Sequence, residues 1–179
     1  MLYKDKENVL MNRIVKGYAM LFSLLCVFLF SLCTASADSQ SEKYVRIGIM
    51  FRDSSINVNT AVESFELSSD KGLEIGYQKK DKFVELLEVS PGEKITVKAD
   101  KNSSDGIIVL SGKGDVLLEH DNRDGFIMFS PKASTKSKLI KVNGTIYRGE
   151  IEVRRLAESD MTVINVLPLE QYLYGVVPG

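Results

Sequence analysis

Few side chains of this sequence could transfer a proton, activate a nucleophile or hold an ion. His120 is its single histidine, which excludes a histidine-rich metal site and leaves any Ser-His-Asp or Cys-His triad only that residue to use. No nucleophile-elbow motif accompanies it, so His120 is expected in a surface loop. Glu150 and Glu152 alternate with Arg148 and Arg154, which places all four on one side of an extended strand. Cross-strand ion pairing on a solvated face accounts for them better than a paired-carboxylate site. Glu170 stands in a segment of helical spacing and turns away from Leu169, Tyr172 and Leu173, where capping or a salt bridge is its expected role.

Two further patterns look like ion sites and have simpler readings. Asp121-Asn122-Arg123-Asp124-Gly125 has the composition of a calcium loop, but its ligand alternation is wrong and no glutamate follows at the required position, so a turn is expected. Lys132, Lys136, Lys138 and Lys141 form a basic stretch able to meet an anionic wall polymer, and lysines also guard sheet edges against pairing. The edge reading is preferred. Asn143-Gly144-Thr145 and Asn102-Ser103-Ser104 match the glycosylation sequon, a pattern short enough to arise by chance. No residue is assigned as catalytic, and neither a cofactor nor a metal is expected.

The elements that carry these residues read as β. Val45, Ile47, Ile49 and Phe51 alternate with polar positions, and the same period of two recurs at Phe65 and Leu67, at Leu73, Ile75 and Tyr77, at Ile95 and Val97, and at Ile151 and Val153. Apolar runs at 107–110, 116–118 and 126–129 fit strands buried on both faces. Turn residues separate the runs at short intervals, the spacing of an all-β sandwich or barrel. Asn143-Gly144 is the sharpest turn signal, because a type I′ turn needs positive φ at both centres; it predicts a hairpin pairing residues 139–142 with residues 145–153. After a strand at 162–167, Pro168 suits a first helical position and a short helix follows, with Gly175 able to end it. The expected class is therefore mainly β, sandwich- or barrel-like, with a short helix near the carboxyl end.

At 179 residues, with 44% hydrophobic residues, the chain is long enough for a real core. Lys4, Lys6, Arg13 and Lys16 precede an apolar run at 19–32 and then Ala35-Ser36-Ala37, the layout of a signal peptide with a small-residue cleavage site. Residues 1–37 are read as a signal peptide or signal anchor, 38–43 as a linker, 44–142 as a β-rich region, and 143–179 as the start of a further domain. Both cysteines, Cys26 and Cys33, lie in the leader, so the exported part has no disulfide framework. Beyond the leader nineteen basic residues face twenty-two acidic ones, a formal net charge of −3. That balance and the export signal both argue against a nucleic-acid partner. The expected location is the outer face of the membrane or the cell wall, with membrane contact only through an uncleaved leader.

Tyr147-Arg148-Gly149-Glu150-Ile151-Glu152-Val153, and Val163-Ile164-Asn165-Val166-Leu167-Pro168-Leu169-Glu170-Gln171-Tyr172-Leu173-Tyr174-Gly175-Val176-Val177-Pro178, resemble the stage II sporulation protein D and amidase-enhancer family. The resemblance covers residues 143–179. It implies a role in peptidoglycan remodelling during sporulation, as a lytic transglycosylase acting on glycan strands beside a cell-wall amidase; other members are enhancers of an amidase. It also implies a catalytic glutamate directly after the Val-Val-Pro-Gly turn, followed by Met-Pro. The sequence ends at Gly179, so none of its residues occupies that position, and it is expected to be the amino-terminal part of such an enzyme. A non-catalytic module that binds glycan or stimulates an amidase is the alternative.

Overall fold

Alternating apolar side chains such as Phe65 and Leu67, Leu73 and Ile75, or Ile95 and Val97 all point one way from their strands, and a single sheet cannot bury them from one side. The solution is two six-stranded antiparallel sheets face to face. The computed structural model describes residues 43–176 apart from 81, 122, 134–137 and 157–158. In chain order the strands are β1 (Tyr44–Met50), β2 (Arg52–Asp53), β3 (Val58–Asn59), β4 (Ser64–Ser68), β5 (Leu73–Lys79), β6 (Lys82–Val89), β7 (Lys94–Ala99), β8 (Ile107–Ser111), β9 (Val116–His120), β10 (Ile127–Pro131), β11 (Leu139–Val142), β12 (Thr145–Arg148), β13 (Glu150–Arg155) and β14 (Met161–Pro168). One helix follows, α1 (Leu169–Val176). The first sheet has the order β1-β14-β13-β10-β5-β6 and the second β12-β11-β4-β7-β8-β9, with β2 and β3 as a separate ribbon.

The expected class, mainly β with a short carboxyl-terminal helix, is the observed one, and of the two architectures it is the sandwich: neither sheet closes into a barrel. Leu67, Ile75, Ile95, Phe129, Ile140 and Ile151, drawn from both sheets, are almost wholly removed from water in one core. Each such side chain stabilises the fold by about 1.5–3 kcal/mol relative to exposure. Strands from both sides of residue 143 share this core, and that residue itself sits in the turn between β11 and β12. The leader, with Cys26 and Cys33, lies outside the described residues, as do Val177 and Pro178.

The strand expectations need correction in places. Of the runs read as buried on both faces, residues 127–129 of β10 are, but Phe126 lies outside it and is exposed. β8 alternates between buried Ile107 and Val109 and half-buried Ile108 and Leu110, and β9 is an edge strand with Val116 57% exposed, because no neighbour follows it in the sheet. β6 was not foreseen. A bulge opposite Ile75 and Gly76 pushes Leu86 outward, so its core-side residues Val84, Leu87 and Val89 break the period of two. The bulge needs Gly76, since a Cβ there would meet the Val84 carbonyl oxygen at 2.0 Å.

The predicted hairpin forms, with Val142 opposite Thr145 and φ values of 47° at Asn143 and 83° at Gly144. Its second strand, however, stops at Arg148 rather than running on to Val153. At Gly149, φ is 88°, and the chain leaves the second sheet to enter the first as β13. Here the glycine is doubly required: a Cβ would lie 2.3 Å from the Val166 carbonyl oxygen and 2.7 Å from the Leu167 Cβ. Arg148 and Arg154 are consequently on different strands of different sheets, not on one strand face.

At the far end of β13, Arg155 is 7% exposed and closes the sandwich. Its Nη1 donates to the carbonyls of Asp100, Ser103 and Gly106 in the β7–β8 loop, and its Nε donates to Ser159.

Gly144→Ala, which meets open space, is expected to cost only the left-handed backbone penalty, about 1–2 kcal/mol. Gly149→Ala adds overpacking against β14 and should cost about 3 kcal/mol or more. Urea unfolding of the two variants measures the difference.

Candidate functional site

The two sequence stretches that stand out, residues 147–153 and 163–176, lie nine residues apart in sequence and meet side by side in the fold. β13 pairs with β14 from Glu150 opposite Val166 to Arg155 opposite Met161. The tie between them is Asn165, 5% exposed, whose Nδ2 donates to the carbonyls of Arg148 at 2.7 Å and Glu150 at 3.1 Å. These two carbonyls flank Gly149 where the chain changes sheet, so the amide side chain ties both sides of the crossing to β14. Gly149 N–H donates in turn to Lys138 O at 3.0 Å.

The same strand delivers the helix. Leu167 and Pro168 are buried, and Pro168 is the last residue of β14 rather than the first of α1. Its fixed φ suits the step from strand to helix, and Leu169 N–H is caught by Lys43 O at 2.7 Å, beside the start of β1. Tyr147 packs partly buried against the core, Leu169 and Tyr172 are half-buried, and Gly175 lies within the helix instead of ending it. Val176 is the last helical residue.

The candidate acids are placed differently from one another. Glu170 is exposed in the first turn of α1, where a negative charge suits the helix N-terminus. Glu150 and Glu152 do share the outer face of the first sheet with Arg154, but that face is not wet at Glu152. The Glu152 side chain is 5% exposed and both oxygens are engaged, Oε1 by Arg154 Nε at 2.5 Å and Oε2 by Arg46 Nε at 3.2 Å. Glu150 Oε1 accepts from Lys138 Nζ at 2.5 Å and from Ser130 Oγ at 3.0 Å, and Lys138 also donates to Ser130. The partner of Glu150 is thus a lysine from outside its own strand, and Arg148 plays no part.

The remaining sequence candidates are structural. His120 ends β9 instead of lying in a loop; its Nε2 is 2.8 Å from Gly125 O, and its ring packs against Tyr77 at 5.7 Å between centroids. Asp121 closes the expected turn by accepting from the Arg123 backbone and guanidinium; the guanidinium hydrogen bond first, then the backbone one, holds its carboxyl below the usual range. Of the basic stretch, Lys132, Lys138 and Lys141 pair with Glu88, Glu150 and Asp70, and Lys136 lies outside the described residues. β11 is not the sheet edge, which belongs to β12. Glu74, Glu85 and Glu88 bring carboxylate oxygens within 4.8 Å of one another on β5 and β6, with Lys132 against them.

A shallow depression of about 290 Å³ borders the Asn143-Gly144 turn, lined by Glu66, Lys94 and Lys141 among others. Asn143 itself fastens the turn to β4: its N–H donates to Glu66 O, and its Oδ1 accepts from Glu66 N–H at 2.8 Å. Among the residues that sequence reasoning passed over, Arg46 is the most consequential. It lies on β1, and nothing in the local sequence connects it with Glu152, more than a hundred positions away.

No family model, no curated protein and no solved structure matches the chain.

Asn165→Leu removes two hydrogen bonds and leaves the Arg148 and Glu150 carbonyls without their amide donor, so a loss of about 1–3 kcal/mol is expected on thermal or urea unfolding. On the exposed rim, the Lys132 hydrogen bond lowers the Glu88 pKa. The folded value lies below the unfolded one, so this pairing favours the fold at neutral pH and fades as pH falls through the folded pKa. Lys132→Gln should raise the Glu88 titration midpoint, read by carboxyl NMR, while leaving the melting temperature nearly unchanged.

Proposed function

We propose that this chain acts in peptidoglycan remodelling during sporulation, as the amino-terminal part of a lytic transglycosylase of the stage II sporulation protein D type. The observation that supports the reading is that the two stretches carrying the resemblance lie side by side in the fold. Gly149 and Asn165, one from each stretch, meet across a single sheet switch, and β14 then passes through Leu167 and Pro168 directly into α1. The leader supports export to the outer face of the membrane or the cell wall, where glycan strands and a partner amidase are found.

Breaking a glycosidic bond non-hydrolytically needs a proton on the leaving oxygen and a nucleophile already present in the sugar. One carboxylic acid suffices: it protonates the leaving oxygen while the sugar's own hydroxyl attacks the anomeric carbon, and the resulting carboxylate takes the proton from that hydroxyl. No water is consumed, and the second carboxylate of a hydrolase is not required. The acid must stay protonated in a partly apolar pocket. Glu150 and Glu152 are engaged in ion pairs and Glu170 faces solvent, so the proton donor is not assigned to any of them. The resemblance assigns it to a glutamate directly after Gly179. In this reading the sandwich is the platform from which α1 leads toward that acid.

The engagement of these acids also favours a second reading, a non-catalytic envelope module that binds glycan or stimulates an amidase. The test is to read the coding sequence past the Gly179 codon, produce the encoded protein and incubate it with purified glycan strands. Fragments ending in an internal anhydro-sugar are expected, and replacing the first glutamate encoded after Gly179 by glutamine should slow their formation by about a hundredfold or more. Cleavage indifferent to that change overturns the mechanism. Absence of cleavage together with faster release of peptides by an added amidase establishes the second reading instead.

A further inference from the structure

The outer face of the first sheet carries a charge arrangement that neither the core nor the proposed chemistry uses. Glu152 stands on β13, Arg154 two residues along on the same face, and Arg46 on β1, with β14 between them. Arg46 is opposite Val166 and must lean diagonally across β14 to reach Glu152. The floor beneath is apolar: Met128, Ile164 and Val166 are 4%, 8% and 3% exposed. A carboxylate that is 5% exposed on such a floor draws two guanidiniums to itself, yet their side chains remain 51% and 38% accessible. Arg154 is also stacked on the Phe126 ring, 4.5 Å from guanidinium carbon to centroid, so its plane is set twice.

Two cations against one anion leave a local charge of +1. Each guanidinium spends its Nε on Glu152 from opposite sides of that carboxylate, which leaves the terminal nitrogens of each fork as donors for an oxyanion. Planar forks held in place lose little freedom on binding, and the apolar floor strengthens the attraction.

We propose that Arg46 and Arg154, positioned by Glu152, bind a carboxylate or phosphate group of an acidic wall polymer. The oxyanion chemistry follows from the geometry; that the polymer is a wall component rests on the reading under Proposed function. Peptide carboxylates of peptidoglycan and phosphates of attached wall polymers offer the same group.

The test is co-sedimentation of the full chain with purified walls, before and after chemical removal of their phosphate polymers. Retention on both preparations identifies the carboxylate, and retention lost on stripping identifies the phosphate; either supports the site. The Arg46→Lys, Arg154→Lys double variant keeps both charges but removes the forks and should bind about tenfold more weakly. Glu152→Gln separates positioning from attraction. It raises the net charge by one, so unspecific electrostatics predicts tighter binding, whereas loss of the anchor predicts binding weaker by about the same factor. Arg46 is half exposed, so Arg46→Lys alone leaves folding intact and decides the matter if Glu152→Gln does not fold. Wild-type levels of binding by the lysine variants, tighter binding by Glu152→Gln, or no retention of the parent chain on either wall overturns the site. Retention without glycan cleavage by the encoded protein leaves the site standing and removes the enzyme; cleavage without retention does the reverse.

Discussion

The backbone crossing at Gly149 is the constraint on which the rest of the structure hangs. A strand that leaves one sheet for the other must turn within a single residue, and here it does so in the left-handed region with β14 pressed against it. No side chain fits between Gly149 and the Val166 carbonyl. Because the crossing is so close, β13 emerges already paired to β14, and the two sheets are stitched at the point where their cores meet. Asn165 fastens the crossing by donating to the carbonyls on both sides of it.

From that stitch the charged groups of the outer face take their positions. Glu150 follows directly after the crossing and finds Lys138, which precedes β11, because the hairpin folds back on itself and Gly149 N–H holds the Lys138 carbonyl. Glu152, one pleat further on, lands at the centre of the sheet among Met128 and Ile164, where a carboxylate needs partners. Arg154 is local and Arg46 is recruited from the edge strand. Removing either partner would leave a charge on an apolar floor, which is why this group holds β1 and β13 in mutual register as well as presenting cations to solvent.

The helix inherits its direction from the same strand. β14 is buried along nearly its whole length, runs between β1 and β13, and passes through Pro168 into α1 with the Leu169 amide held by Lys43. α1 is thereby joined directly to a buried strand and not to a linker.

Local pattern alone determined much of this chain: the alternation in β1, β4, β5, β7 and β13, the type I′ turn at Asn143-Gly144, and the passage from strand to helix near Pro168, one residue earlier in expectation than in the fold. These depend on side-chain period and on backbone conformations open to few residues, and both are visible in a short window. Where the local period was broken, as at the bulge opposite Gly76, β6 was invisible. Where position in the sheet decided burial, as for β9 at an edge and β10 in the middle, two similar apolar runs came out opposite. The site followed the same division. The stretches at 147–153 and 163–176 stood out in the sequence, but that they touch, that Gly149 separates Arg148 from Arg154, and that Glu152 is buried between Arg46 and Arg154 came only with tertiary structure. The physical reason is that an ion pair or a sheet crossing is an interaction between segments far apart in the chain, and its strength depends on which floor and which neighbours the fold brings beneath it.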